Sequence, residues 1–190
     1  VEKEMSRITA KSLAALIVFG LALSAFSVYA EEGAAPATPT YIGGSKCKMC
    51  HKGEKNGNIW ETWMETKHAK SMESLVAKGE DKNPECLACH TTGYGTPSGF
   101  GADTTMFNAE ALGSVSCEAC HGAGSEYKSK KVMEDHDASI AAGLVVPTEA
   151  TCTKCHNEKS PTFKGFNYEE ALAKIIHHVP PKAEGEAAGE

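Results

Sequence analysis

The sequence is short of the residues that build a self-sufficient core. Aromatic side chains make up 7% of it, with two tryptophans among 190 residues, and a moderately acidic chain of this size buries only a modest core from its own side chains. Something else is expected to fill the interior, and a cofactor is the obvious candidate. Basic residues are not in excess either: the net charge is -6, and because the charged residues ahead of Ser12 sum to +1, the remainder is near -7. Nucleic acid is therefore not an expected partner. Long hydrophobic runs are missing as well. The apolar stretch from Leu13 to Phe26 is 14 residues long, where a membrane-spanning helix wants about 20. Preceded by Arg7 and Lys11 and followed by Val28-Tyr29-Ala30, it reads as a secretory leader cleaved after Ala30. The expected organisation is a leader over 1–30, a flexible Ala/Pro linker over 31–42, one domain over 43–180 and a disordered acidic tail over 181–190. No membrane span is expected in the mature chain.

No cysteine is left over. All eight fall into four pairs of identical spacing, each followed at once by histidine: Cys47, Cys50 and His51; Cys86, Cys89 and His90; Cys117, Cys120 and His121; Cys152, Cys155 and His156. Cys-x-x-Cys-His is the covalent haem attachment signature. Two thiols form thioethers with the porphyrin vinyl groups, and the adjacent imidazole becomes the proximal ligand of the iron. A disulfide framework has no use for a histidine after every second cysteine. Two closed zinc sites would leave the same histidines idle, and a thioredoxin-like motif needs a strand-to-helix setting that is not seen here. Four covalently bound haem c groups with their iron are thus expected. Export agrees, because covalent haem attachment takes place outside the bacterial cytoplasm. The motif starts lie 39, 31 and 35 residues apart, so the chain is one irregular unit rather than a solenoid of fixed period.

Four histidines remain for the distal positions: His68, His136, His177 and His178. Asn58 with Glu61 makes a capping pattern, Gly79 is a natural stop, and Trp60, Met64, His68, Met72 and Leu75 recur at helical spacing between them. This predicts one helix with His68 on its apolar side. A second helix is predicted from Tyr168, capped by Asn167 with Glu170 three positions on and stopped by Pro180 and Pro181. On an ideal helix His178 lies nearer than His177 to the face made by Leu172, Ile175, Ile176 and Val179. His136 sits between Asp135 and Asp137 in a less readable stretch. The fold class that follows is mainly α with extensive loops, an irregular multihaem cytochrome c fold in which haem faces form the core.

The order of segments carries a resemblance. The first motif is followed by His68-Ala69-Lys70-Ser71-Met72-Glu73-Ser74-Leu75, and the second by Thr91-Thr92-Gly93-Tyr94-Gly95. The third is followed by Gly122-Ala123-Gly124, and the fourth by the terminal histidine segment. Over roughly residues 43 to 180 the chain resembles the tetrahaem cytochrome c-554 family. The resemblance implies three haems with two histidine ligands each, the distal ones at His68, His136 and the His177/His178 pair, and a fourth haem without a strong sixth ligand. Relatives end in His-Pro where this chain has His177-His178, which favours His177 against the periodicity. The implied function is electron transfer between redox partner proteins outside the cytoplasm, in the periplasm or at the outer surface, and not enzymatic turnover. Two other readings are reduction of nitric oxide, nitrite or hydroxylamine at a five-coordinate haem, and a filament joined by a ligand from a neighbouring subunit.

Overall fold

One turn of helix is enough to bring the two thiols and the imidazole of a Cys-x-x-Cys-His run onto one face, because positions i, i+3 and i+4 are neighbours there. The fold is assembled from pieces of about that length. The computed structural model describes residues 38–102, 111–178 and 180. Every described residue belongs to one compact unit, within Ala37–Glu190. The expected leader, most of the linker and the expected tail lie outside the described residues.

In chain order the helices are α1 (Gly44–His51), a 3-10 turn (Glu54–Asn56), α2 (Ile59–Met64), α3 (Ser71–Val76), α4 (Pro84–His90), α5 (Cys117–His121), α6 (Lys130–Met133), α7 (His136–Ala141), α8 (Glu149–Cys152) and α9 (Tyr168–Leu172). No strand occurs among the described residues, and none of the described helices is long and apolar enough to cross a membrane. The expected helix-and-loop architecture is the one seen. α1 packs on α2 and α5, α3 on α4, and α6 on α7. Trp60 and Trp63 lie with ring centroids 4.7 Å apart, and Lys48 Nζ stands 5.1 Å from the centre of the Trp60 ring, which ties α1 to α2.

Local chemistry sets the helix ends. Pro84 opens α4, and Asn83 Oδ1 accepts from the Glu85 N–H at 3.0 Å. Asp135 caps α7 through the Ala138 N–H at 3.0 Å, and Asn167 caps α9 through the Glu170 N–H at 3.1 Å, as the sequence predicts. Two expectations fail. The helix expected between Asn58 and Gly79 is broken into α2 and α3, because the Thr66 hydroxyl donates to the Trp63 carbonyl at 2.7 Å and accepts from the Ala69 N–H at 3.3 Å. That side chain offers the backbone a local alternative to the next helical turn. Asn58 makes no side-chain cap and instead adopts the left-handed conformation with φ 49°. Nor does α9 reach Pro180. It ends at Leu172 in tight turns, Ile175 N–H to Leu172 carbonyl at 3.0 Å, where the β-branched pair Ile175-Ile176 meets the approaching prolines.

The side-chain core is small. Among the described residues the buried hydrophobics are Leu75, Leu87, Leu112 and Tyr127, while Met49, Met64, Val76, Ile140, Val145, Val146 and Ile176 are exposed. Polar groups knit the interior together. Thr92, fully buried, donates its hydroxyl to the Ser114 carbonyl at 2.6 Å and accepts from the Ser116 N–H at 3.0 Å. Ser71 Oγ donates to the His90 carbonyl at 2.7 Å and accepts from the Val115 N–H at 3.0 Å, and Trp63 Nε1–H donates to the Val115 carbonyl at 3.0 Å. The segment around Leu112–Ser116 is thereby stitched to both the second and the third motif. Residues 40–42, placed in the linker from the sequence, are held too: the Thr40 N–H donates to Ser125 Oγ at 2.8 Å and the Tyr41 N–H to Ser98 Oγ at 3.0 Å. Among the described residues, hydrogen bonds to the domain therefore reach back to Thr40.

Thr92→Val keeps the shape of the side chain but strands the Ser116 N–H and the Ser114 carbonyl in the interior. A loss of about 1–3 kcal/mol is expected, read as a lower unfolding midpoint of the haem-loaded protein with haem content unchanged. A loss below about 0.5 kcal/mol, the range of an ordinary surface substitution, would contradict it.

Candidate haem sites

Each motif presents its histidine from the end of a helical turn. α1 carries the first motif, α4 the second, and α5 is the third. The fourth starts on the last residue of α8 and continues in turns, with the His156 N–H donating to the Cys152 carbonyl at 3.0 Å. No disulfide joins any of the eight cysteines, so none competes for the residues that the signature requires.

The histidines are organised in facing pairs. The His68 and His156 ring centroids lie 5.9 Å apart with planes at 64°, and those of His121 and His177 lie 6.0 Å apart at 63°. Two imidazoles that share one metal ion through nitrogens about 2.0 Å from it have centroids about 6 Å apart. The pairs therefore have the spacing of two ligands on opposite sides of a single iron. Among the described residues no group of three or more His, Cys, Asp or Glu converges on a common point. A closed zinc site needs four such ligands, whereas iron in a porphyrin asks the protein for two axial ligands alone.

Backbone carbonyls fix the rings. His90 Nδ1 lies 2.9 Å from the Ser71 carbonyl, His121 Nδ1 3.1 Å from the Val145 carbonyl, and His177 Nδ1 3.0 Å from the Ile175 carbonyl. A carbonyl only accepts, so Nδ1 carries the proton in each case and Nε2 presents its lone pair. Such outer hydrogen bonds orient metal-ligating histidines generally. His156 is held differently, by Phe166 stacked at 4.9 Å and 20°. Burial, then the neighbouring His177, pushes His51 below the ordinary histidine range, and burial followed by His156 and His90 does the same to His68. His121 is lowered mainly by burial, against the opposing effect of the Val145 carbonyl. Neutral imidazole, the form that binds a metal, is thus the favoured form at these positions.

The motifs also touch one another. The Cys47 thiol is hydrogen bonded to Cys117, which raises Cys47 and lowers Cys117. Cys155 is pushed up to about 12 by burial and by its hydrogen bond to Cys89, and Cys152 is a charge neighbour of Cys120. In space the motifs are therefore linked in the order first, third, fourth, second. A cavity bordered by Cys117, Cys120, His121 and His177, with His68 and Trp63 on its rim, brings both thiols of the third motif together with its facing histidine pair. The residues present fit haem c.

The placement of the sequence-derived candidates can now be stated. His68 and His177 each face a motif histidine. His136 is exposed at the start of α7, with Nδ1 3.7 Å from Asp137 Oδ1, and faces no histidine ring among the described residues. His178 is exposed too, and its carbonyl lies so close to Gly57, at φ 81°, that a Cβ there would collide with it. Helical periodicity had pointed to His178. It does not apply, because both histidines lie beyond the end of α9. The sequence reading missed Ser71, Val145 and Ile175, whose carbonyls carry no residue-type signal, and Glu118, discussed below.

The family model described as cytochrome c554 and c-prime matches residues 46–122. The chain is 28% identical over 178 residues to cytochrome c-554 of Nitrosomonas europaea, covering 79% of this chain and 72% of that one. It is also similar to the reduced-state structure of cytochrome c554 from the same organism, with a TM-score of 0.58 and 26% identity over 81% of this chain and 92% of the other. These likenesses support the cytochrome c-554 family and, with it, a multihaem c-type cytochrome of electron transfer with covalently bound haem c.

Proposed function

We propose that the protein carries one haem c on each of its four motifs and acts in the periplasm as an electron carrier between two redox proteins, not as an enzyme. The observation that carries this reading is the pair of facing imidazoles, His68 with His156 and His121 with His177. A histidine on each side of an iron would fill both axial positions of those two haems and leave no place on them for a substrate, and bis-histidine ligation keeps the potential low. Bound haem supplies the reversible one-electron iron couple.

The chain supplies the rest. Cysteines anchor, the carbonyls of Ser71, Val145 and Ile175 keep Nε2 of His90, His121 and His177 unprotonated, and motif contacts set the order of the array. Because that order is first, third, fourth, second, the first and second motifs are its two ends, and donor and acceptor dock there. The family resemblance assigns His136 as a distal ligand, which would serve one of these two end motifs, and leaves the fourth haem without a strong sixth ligand. The leader reading and the extracytoplasmic chemistry of haem attachment support the periplasm as its location.

Iron quantified against protein, together with electron paramagnetic resonance of the oxidised protein, tests this. Four irons per chain are expected, one for each motif, three low-spin and one high-spin. Fewer than four irons, or mostly high-spin signals, would refute the reading. The same spectroscopy separates the adjacent histidines: His177→Ala is expected to add a second high-spin signal and His178→Ala to leave the spectrum as it is. The reverse pattern would assign the ligand to His178.

A further inference from the structure

Glu118 is 1% exposed, the most deeply buried ionisable side chain among the described residues. Three backbone N–H groups converge on it. Oε1 accepts from Ile42 at 3.0 Å and from Gly124 at 2.7 Å, while Oε2 accepts from Gly43 at 2.7 Å and from Ile42 at 3.2 Å. No Lys, Arg or His forms an ion pair with it among the described residues. A buried negative charge without a positive partner is costly, and backbone dipoles offset only part of that cost.

Its position indicates where the missing positive charge comes from. Glu118 lies between Cys117 and Cys120, so the thioether anchors of the third motif flank it. Ile42 and Gly43 run directly into α1, which carries the first motif, and Cys47 of that motif is hydrogen bonded to Cys117. The carboxylate therefore stands at the junction of two haem sites and holds them together. Its field is felt locally: burial, then the Glu118 charge, raises the hydroxyls of Tyr41 and Tyr127. Ferric haem carries one more positive charge than ferrous haem, and in a site of low dielectric that difference couples strongly to a nearby anion.

We propose that Glu118 sets the reduction potentials of the haems on the first and third motifs, its negative charge favouring the ferric state of both while its hydrogen bonds clamp one motif to the other. This rests on the reading that each motif holds a haem. Glu118 touches no iron ligand in this account. It is a positioning residue that acts through charge and through the backbone of residues 42 and 43.

The test is a potentiometric titration of the haem-loaded full chain, followed by absorbance and electron paramagnetic resonance, on the parent protein, Glu118→Gln and Gly124→Ala. Glu118→Gln removes the charge with little change of shape. Two midpoints are expected to rise, each by a tenfold or greater change in the oxidised-to-reduced ratio, which is about 59 mV for one electron, and the others are expected to stay. Gly124→Ala keeps the charge but strains the clamp, since its Cβ meets Glu118 Oε1 at 3.0 Å and Ile42 Cδ1 at 3.1 Å. It is expected to lower the unfolding temperature and leave the midpoints in place. Midpoints unmoved in Glu118→Gln, or moved as far by Gly124→Ala, would overturn the proposal. Should Glu118→Gln not accumulate with haem, Glu118→Asp decides. Charge retained means midpoints near the parent values at reduced stability, and a tenfold shift there would also overturn it. Iron is counted on the same samples, so a shortfall from four contradicts the four-haem reading whether or not the midpoints move.

Discussion

A chain with so few buried apolar side chains cannot close an interior by itself, and the rest of the structure follows from that. Leu75, Leu87, Leu112 and Tyr127 are the buried hydrophobics among the described residues, and several valines, isoleucines and methionines face outward. Helices held together by side-chain packing alone need long amphipathic faces. Here they are a turn or two long, and each is long enough to present a motif or to cap a turn. A flat apolar macrocycle tied to the chain by two thioethers, and through its iron to a histidine, would replace the missing packing. Polar groups do the local work, as Thr92, Ser71 and Ser139 satisfy backbone atoms that longer helices would have paired.

The histidine environment and Glu118 share one logic. A haem site needs neutral imidazoles of defined tautomer, and here the acceptors that define it are main-chain carbonyls, which side-chain substitution cannot remove. Glu118 reverses the polarity, with a side-chain carboxylate gathering main-chain donors from three points in the chain. Both devices couple the redox sites to the backbone rather than to a packed side-chain core, which suits a chain with few buried apolar side chains.

How much of this could be read from the sequence depends on the range of the interaction. The motifs were legible because thioether chemistry demands fixed spacing, and the Asn167–Glu170 cap was legible because it closes within three residues. The sequence singled out His68, which lies opposite His156, although the helix expected to carry it is interrupted. The break at Thr66 was not foreseen, since a threonine hydroxyl that turns back on its own backbone competes with helix by a margin too small for periodicity to register. His177 could not be chosen over His178 by helical phase, because the choice is made beyond the helix end. Glu118 looked like any other variable position inside a motif. Its burial depends on residues 42, 43 and 124, and no local pattern reports such distant partners. The order of the motifs in space was hidden for the same reason.

The most direct test of the claim that haem faces form the core is a comparison of thermal unfolding between the haem-loaded protein and the same chain produced without haem attachment, followed by far- and near-ultraviolet circular dichroism. The account predicts that the loaded protein unfolds cooperatively, while the haem-free chain shows weak helix signal, no fixed environment for Trp60 and Trp63, and no cooperative transition. A haem-free chain that melted cooperatively at a similar temperature would show that its side chains suffice to hold the fold, and would contradict the account.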